Sequence, residues 1–501
     1  MENTLFLGVD VGTTAIKAGV YDRHGKLLAS DRKPMNVLRP NEGWSEQDMN
    51  LLWETTQSCL ADAISQVDGS AVRTIGVCGQ GDGLWLLDGD KKPFRDAILW
   101  NDQRAKQQIA KWIEDGTSGK LARYCQTANW PGTAGAALRW LADEEPETLE
   151  AAAHILFCKD WIGYCLTGKI TTDFSDATIP FYNLETKQYA PEAFALLGLP
   201  DLSSKFAKPR LATDAAGMIR SDLAQTLGLP AQTTVAVGAL DLAGMMTGLG
   251  LNTPGDMCFI LGTTAVFSYI APPIASTDAI DGATVHHPFT ENWIRVLAPQ
   301  SGASAFDWFA GLHPSAFGGL SAGEIAEQIN KMAADIPPGS NGVTFLPFLT
   351  GERAPFVAPH ATASFLGMTS KTSKADMARA VMEGASFSLR HCVQSAAVKP
   401  SDTITLTGGG ARNRFWCQIM ADVLGVTIIA NASEDHGLWG AALIGAASNG
   451  LANPMRPARI EENLHYAPDP AAHAIYNRLF ENYLQMITLS RGIWDIQRKS
   501  P

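Results

Sequence analysis

Residues 8–17 read Gly-Val-Asp-Val-Gly-Thr-Thr-Ala-Ile-Lys. The apolar run leading into them (Leu5, Phe6, Leu7, then Val9) predicts a buried strand ending in one acid, one glycine and two hydroxyls. A second strand is predicted immediately, over 16–21, followed by a turn at Asp22-Arg23-His24-Gly25 and a third strand. A tight strand-turn-strand of this composition suits a phosphate group. Gly12 lets the backbone come close, and the Thr13 and Thr14 hydroxyls can donate hydrogen bonds. Asp10 can hold a hydrated Mg²⁺ beside phosphate oxygens. The same residues also suit an ordinary hairpin whose Asp and Gly serve only the turn, and this segment alone leaves both readings open.

A second copy shifts the balance. Residues 258–268 read Cys-Phe-Ile-Leu-Gly-Thr-Thr-Ala-Val-Phe-Ser, so Gly262-Thr263-Thr264 again sits between two apolar strands. Two such turns, one in each half of the chain, suggest two related domains gripping one polyphosphate from opposite sides. A third element follows the short strand Ile404, Leu406, Thr407: the run Gly408-Gly409-Gly410-Ala411-Arg412-Asn413. Helical spacing then begins (Trp416, Ile419, Met420, Val423), with Gly425 as the stop. Glycines such as Gly409 and Gly410 between a strand and a helix N-terminus leave room for a flat ring or a phosphate.

Two competing nucleotide motifs fail. The dinucleotide fingerprint needs a last glycine where Asn413 stands. The nearest approach to a Walker loop, Gly163 to Ile170, has Ile170 in place of the hydroxyl residue and a bulky interior. It reads better as the end of an apolar helix stopped at Gly168.

With 501 residues, 46% of them hydrophobic, the chain can build two domains or more with large cores. The net charge of −12, without any Lys/Arg-rich run, argues against a nucleic-acid partner. Eight scattered cysteines form no Cys-x-x-Cys and suggest buried thiols in a reducing cytoplasm. Asp10 interrupts the N-terminal apolar run, so no signal peptide is expected, and no apolar run is long enough to span a membrane.

Strand and helix patterns alternate throughout, which predicts an α/β fold. Helices are expected near 48–67, around Trp140, over 155–166, from about 375 with Ser373 and Asp376 at its start, and over 471–489. Asn252-Thr253-Pro254-Gly255 is the expected boundary, dividing the chain into domains 1–250 and 251–501.

Residues 235–250 read Val-Ala-Val-Gly-Ala-Leu-Asp-Leu-Ala-Gly-Met-Met-Thr-Gly-Leu-Gly, and Asp241 is their one charge. Such an acid can cap a helix. The flanking Gly238, Ala239, Ala243 and Gly244 also suggest open space around it, as a carboxylate in a cleft would need. Its natural task is to accept the proton of a substrate hydroxyl as that oxygen attacks a γ-phosphate.

Taken in order along nearly the whole chain, these pieces resemble the FGGY carbohydrate kinases, in the superfamily of actin, Hsp70 and hexokinase. Asp10-Val11-Gly12-Thr13-Thr14, with Lys17 beyond, resembles the first phosphate motif; Gly262-Thr263-Thr264 resembles the second. Gly408 to Asn413 resembles the adenosine motif. Phe157-Cys158-Lys159-Asp160-Trp161 is similar to one family signature, and Ser364-Phe365-Leu366-Gly367-Met368 leading to Glu383-Gly384 to the other. Phe345 to Leu349 followed by Gly351-Glu352-Arg353 is also typical. The resemblance implies two RNase H-like domains with a cleft between them. It implies a small-molecule sugar or polyol on the N-terminal side, MgATP on the C-terminal side, and Asp241 as the catalytic base. Homodimers and homotetramers are both frequent in the family.

For the substrate, Gly79-Gln80-Gly81-Asp82-Gly83-Leu84-Trp85 matches the family's sugar-contacting turn. The chain lacks both the Arg-Glu pair of glycerol kinases and the Met-His of xylulokinases there; the Gly-Gln-Gly-Asp-Gly form resembles erythritol kinase and L-xylulose kinase branches. Gln80 and Asp82 can bind vicinal hydroxyls, and a carboxylate there favours a neutral polyol or ketose over an acid sugar. Trp100 offers an apolar face to sugar C–H groups, with Asn101 and Asp102 nearby. Trp130 is a weaker candidate for the sugar site and reads more readily as core, and Lys159-Asp160 reads as a structural ion pair ahead of a direct role. The expected activity is ATP-dependent phosphorylation of a terminal hydroxyl of a ketopentose or tetritol, with glycerol as an alternative. A chaperone-like ATPase and a sugar-binding protein without turnover are the readings from other classes.

Overall fold

The computed structural model describes residues 4–177, 181–262, 265–273, 282–300, 302–396, 398–433, 435–453 and 463–498. Thr263 and Thr264 of the second Gly-Thr-Thr therefore lie outside the described residues. The chain forms two compact units: Met1–Asn252 with Pro272–Ile294 and Asp435–Ile460, and Thr253–Ala271 with Arg295–Glu434 and Glu461–Pro501. Two later segments, Pro272–Ile294 and Asp435–Ile460, thus group with the first unit.

In the first unit the expected hairpin is β1 (Leu5–Val11) and β2 (Ala15–Asp22), continued by β3 (Leu27–Pro34) after a turn in which Gly25 takes φ 79°. Then come β4 (Val72–Gly79), β5 (Ala215–Met218), β6 (Thr234–Ala236) and the two-residue β7 (Ala239–Leu240). The sheet order is β5-β6-β4-β1-β2-β3, with β7 also against β4. β1 runs antiparallel to β2, and β4 runs parallel to β1, β6 and β7. All but one residue of β1 is buried, as expected of a strand covered on both faces.

One cover is the helix Met49–Ile64, capped by Asp48, which accepts the amides of Asn50 and Leu51 and buries Leu52, Cys59 and Leu60. The other is the helix His436–Ala447, buried almost throughout and packed on β1 and β4. Small residues let it lie directly on the sheet. A Cβ on Gly76 would strike the Ala441 carbonyl, and one on Gly445 would come within 2.6 Å of the Gly76 nitrogen.

The second unit repeats the succession of hairpin and parallel strands. β8 (Met257–Leu261) pairs antiparallel with β9 (Ala265–Ala271) and parallel with β10 (Thr403–Thr407), which pairs parallel with β11 (Thr427–Ala430). β12 (Leu464–Tyr466) closes that edge. The helix Lys374–Ser395 starts at the expected capping box of Ser373 and Asp376. Tyr476 of the C-terminal helix Pro470–Arg498 bonds Arg379 and Glu383, which anchors that helix to the second unit.

All eight cysteines are buried and unbridged. Among the described residues no helix is long and apolar enough to cross a membrane.

Candidate active site

The parallel pairing of β1, β4 and β7 sets the site. Asp10 lies opposite Cys78, and Cys78 lies opposite Ala239, so Asp10, Gln80 and Asp241 come from neighbouring strand ends. These are carboxyl ends of parallel strands, where open α/β sheets bind their ligands. Asp241 opens the helix Asp241–Gly248, and its Oδ1 accepts the Leu242 amide at 2.6 Å. Burial, and secondarily the charge of Asp10, pushes its carboxyl up to about 7. Burial also raises Asp10, against the pull of Lys17, while Asp435 adds to the rise. Lys17 Nζ lies 3.5 Å from Asp435 Oδ1.

Asp241 itself is partly exposed, while Gly244 and Gly248 after it permit close helix packing. A Cβ on Gly244 would strike the Cys78 sulfur, and one on Gly440 the Gly244 carbonyl. The sequence pattern was informative, but for Gly244 and Gly248 its cause is contact with the helix His436–Ala447.

The first Gly-Thr-Thr is a tight turn in which the Gly12 amide donates to the Ala15 carbonyl at 3.0 Å. Thr13 and Gly12 are partly buried and Thr14 is exposed. Thr13 Oγ1 donates to Gln80 Oε1 at 2.9 Å and accepts Trp100 Nε1 at 3.1 Å. Gln80 Nε2 donates to Gln47 Oε1 at 2.8 Å, and Gln47 Nε2 reaches back to the Thr13 carbonyl at 3.2 Å. The turn thus forms one hydrogen-bonded group with Gln80, Trp100 and Gln47, and Asp82 lies outside it. Gln47 was not evident from sequence: it sits in a short strand with no motif around it. Trp100 keeps 44% of its surface exposed, and its carbonyl accepts the Trp130 indole at 3.0 Å.

Asp82 is buried in the left-handed conformation, φ 58°. Its Oδ1 accepts the amides of Gly83 at 3.0 Å and Ala134 at 2.8 Å, while its buried Oδ2 has no hydrogen-bond partner. Burial pushes its carboxyl up to about 7 despite those two amides. The neighbouring Gly81 leaves room that the Leu240 side chain fills.

The expected Lys159-Asp160 pair is part of a larger buried group. Lys159 Nζ lies 2.5 Å from Asp160 Oδ1, 3.1 Å from Asp173 Oδ1 and 3.2 Å from Asp176 Oδ2. Burial alone would lower Lys159, but the three carboxylates outweigh it and hold the ammonium charged.

In the second unit, β8 and β10 run side by side, which brings Gly262 next to the glycine turn. Gly408 takes φ 84°, and its Cβ would come within 2.7 Å of the Leu261 carbonyl. Gly409 to Arg412 make one 3₁₀ turn. Asn413 then caps the helix Arg414–Leu424 through Trp416 N at 3.1 Å and is held by Asn330. Gly409 is exposed, and a Cβ there would meet nothing nearer than the Leu261 carbonyl at 4.0 Å, whereas Gly410 is buried and a Cβ there would come within 2.6 Å of the Leu261 side chain, so the glycine at 410 serves packing.

Among the described residues no cluster of three or more His, Cys, Asp or Glu is arranged to hold a metal ion. Mg²⁺ does not require one: it keeps several waters and is held through one or two carboxylates plus phosphates. Asp10, a hard oxygen donor whose charge is disfavoured by Asp435 and burial, fits that mode.

The FGGY family of carbohydrate kinases matches through its N-terminal domain at residues 5–250 and its C-terminal domain at 257–448. The chain is 30% identical over 495 residues to a xylulose kinase of Klebsiella pneumoniae, covering 95% of this chain and 98% of that protein. It is 29% identical over 506 residues to the L-xylulose/3-keto-L-gulonate kinase of Escherichia coli K12, covering 97% of each. The structure of a ligand-bound xylulose kinase from Lactobacillus acidophilus is similar with a TM-score of 0.88 at 26% identity, over 98% of this chain and 99% of that one.

Proposed function

The chain belongs to the FGGY family of carbohydrate kinases, and on that premise we propose that it phosphorylates a terminal hydroxyl of a ketopentose, with L-xylulose and D-xylulose the first candidates. The observation that carries the reading is the placement of Asp241: a carboxyl raised to about 7 at a strand end, beside Asp10 and one strand from Gln80.

The sugar rests on Gln80, Asp82 and the face of Trp100. Its hydroxyl oxygen attacks the γ-phosphorus of ATP, the bond from that phosphorus to the bridging oxygen of ADP breaks, and the hydroxyl proton passes to Asp241. Within the first unit, Gly12, Thr13, Thr14 and Lys17 are the phosphate-binding candidates. Within the second, Gly262, Thr263 and Thr264 are the phosphate-binding candidates and Gly409, Gly410 and Asn413 the nucleoside-binding ones. When bound at Asp10, Mg²⁺ neutralises phosphate charge. The protein supplies position and electrostatics, which is most of what phosphoryl transfer needs.

The buried thiols support a reducing, cytoplasmic setting. For the assembly we retain a homodimer or homotetramer.

The test is ADP release, coupled to a recording enzyme, over both hands of xylulose and ribulose, erythritol, glycerol and 3-keto-L-gulonate. A ketopentose with the highest kcat/KM supports the reading. Sugar-independent ATP turnover, or a preference for glycerol, overturns it.

A further inference from the structure

Asp241 is preceded by Leu240, and Leu240 is fixed from two sides. Its side chain occupies the room left by Gly81 in the turn that carries Gln80 and Asp82. Its amide donates to Ser175 Oγ at 2.9 Å, and both partners are buried. β7 contributes only the two pairs Ala239 with Cys78 and Leu240 with Gly79, so the strand itself gives the segment little hold before the helix begins.

Ser175 is fixed in turn. It lies in the short helix Phe174–Ala177, and its own amide donates to Asp173 Oδ2 at 2.8 Å. The other Asp173 oxygen is 3.1 Å from Lys159 Nζ. Asp176, one residue beyond Ser175, also reaches that ammonium, at 3.2 Å. Lys159 stands at the start of the helix Cys158–Thr167, packed on Gly79: a Cβ there would come within 3.0 Å of the Lys159 nitrogen. A buried ion cluster is a poor device for stability alone, since its desolvation offsets its attraction. What this one does is hold a turn of one helical length against the strand end from which Asp241 emerges.

We infer that Ser175 is a positioning residue for Asp241: its hydroxyl anchors the Leu240 amide, and Lys159 and Asp173 hold that hydroxyl in place. The inference rests on the reading of Asp241 as the base. Ser175 touches no reacting atom. It acts by setting the direction in which the Asp241 side chain leaves the backbone, where a misplacement of about 1 Å costs about 10²-fold in rate.

The experiment compares the intact enzyme with Ser175→Ala, Asp241→Asn and the double variant, in kcat, sugar KM and ATP KM, with melting temperature followed throughout. The expected result is a fall in kcat of about 10- to 10²-fold for Ser175→Ala, both KM values within about twofold, and no further loss when the change is made in Asp241→Asn. If Ser175→Ala does not fold, Ser175→Cys, similar in size but a weak acceptor, carries the same comparison. Wild-type turnover by Asp241→Asn sinks the base reading, whatever Ser175 does. An inactive Asp241→Asn with unchanged kcat in Ser175→Ala, a change in KM only, or an additional loss in the double variant sinks the positioning role alone.

Discussion

The Thr13 hydroxyl donates to the Gln80 side-chain oxygen at 2.9 Å, so the first Gly-Thr-Thr turn and the Gly-Gln-Gly-Asp-Gly turn share a hydrogen bond. Trp100 adds its indole N–H to the same hydroxyl. Replacing Thr13 with Val removes both links while keeping the shape. Each bond is worth about 0.5–1.5 kcal/mol. Sugar KM should therefore rise several-fold together with ATP KM, whereas Thr13→Ser should stay near the intact enzyme. Steady-state titration of each substrate checks this, and an unchanged sugar KM in Thr13→Val would contradict it.

Asp241→Asn should retain ATP binding and lose about 10²–10⁴ in kcat, the usual worth of a general base. Calorimetric titration with ATP and product assay measure the two halves separately. Turnover near the intact level removes Asp241 from the chemistry.

The pH dependence follows from the raised Asp241 carboxyl. A base must be ionised, so kcat/KM for the sugar should fall as pH drops through about 7. The rise comes first from burial and then from Asp10, so a profile flat from pH 8 down to 5 would show the acid to be solvated or uninvolved.

Asp82 gives a stability test. Its folded value lies near 7, above the ordinary carboxylate range. The sign is therefore that of a raised acid: its contribution is fully present below the unfolded value near 4 and is lost as pH rises through about 7. Asp82→Asn keeps an oxygen for the Gly83 and Ala134 amides and should flatten that part of the stability curve. Asp82→Ala leaves both amides without their acceptor and should cost about 1–3 kcal/mol besides raising sugar KM. Urea melts between pH 4.5 and 8 compare the three proteins, and identical slopes would refute the ionisation argument.

Gly76→Ala should destabilise the protein by about 1–3 kcal/mol or more, because the added methyl meets the Ala441 backbone rather than a side chain that can turn away. Thermal melting reads the loss directly. A melting temperature equal to that of the intact protein would mean that the helix shifts without cost.

The sequence disclosed the local features best. The first turn, the glycine run before Asn413, the capping box at Ser373 and the helix stops at Gly168 and Gly425 are all short-range, and each has its own residue chemistry. Asp241 stood out because its surroundings are small and uncharged, though close helix packing explains Gly244 and Gly248 among them. Gln47, Ser175 and Asp435 carry no such mark. Their partners Gln80, Leu240 and Lys17 lie 33, 65 and hundreds of residues away, and single-sequence patterns do not reveal those pairings. Nor does chain order announce that 435–460 returns to the first unit.

That return has a bearing on biosynthesis. While the ribosome is still translating the middle of the chain, β1 and β4 have no helix to cover one of their faces, and the glycines that would receive it lie bare. The nascent amino-terminal half must wait for some two hundred further residues before its sheet is covered, at a tempo of several to about twenty residues per second. A message truncated ahead of residue 435 would yield a polypeptide with an uncovered apolar sheet, prone to aggregate or to be captured by chaperones.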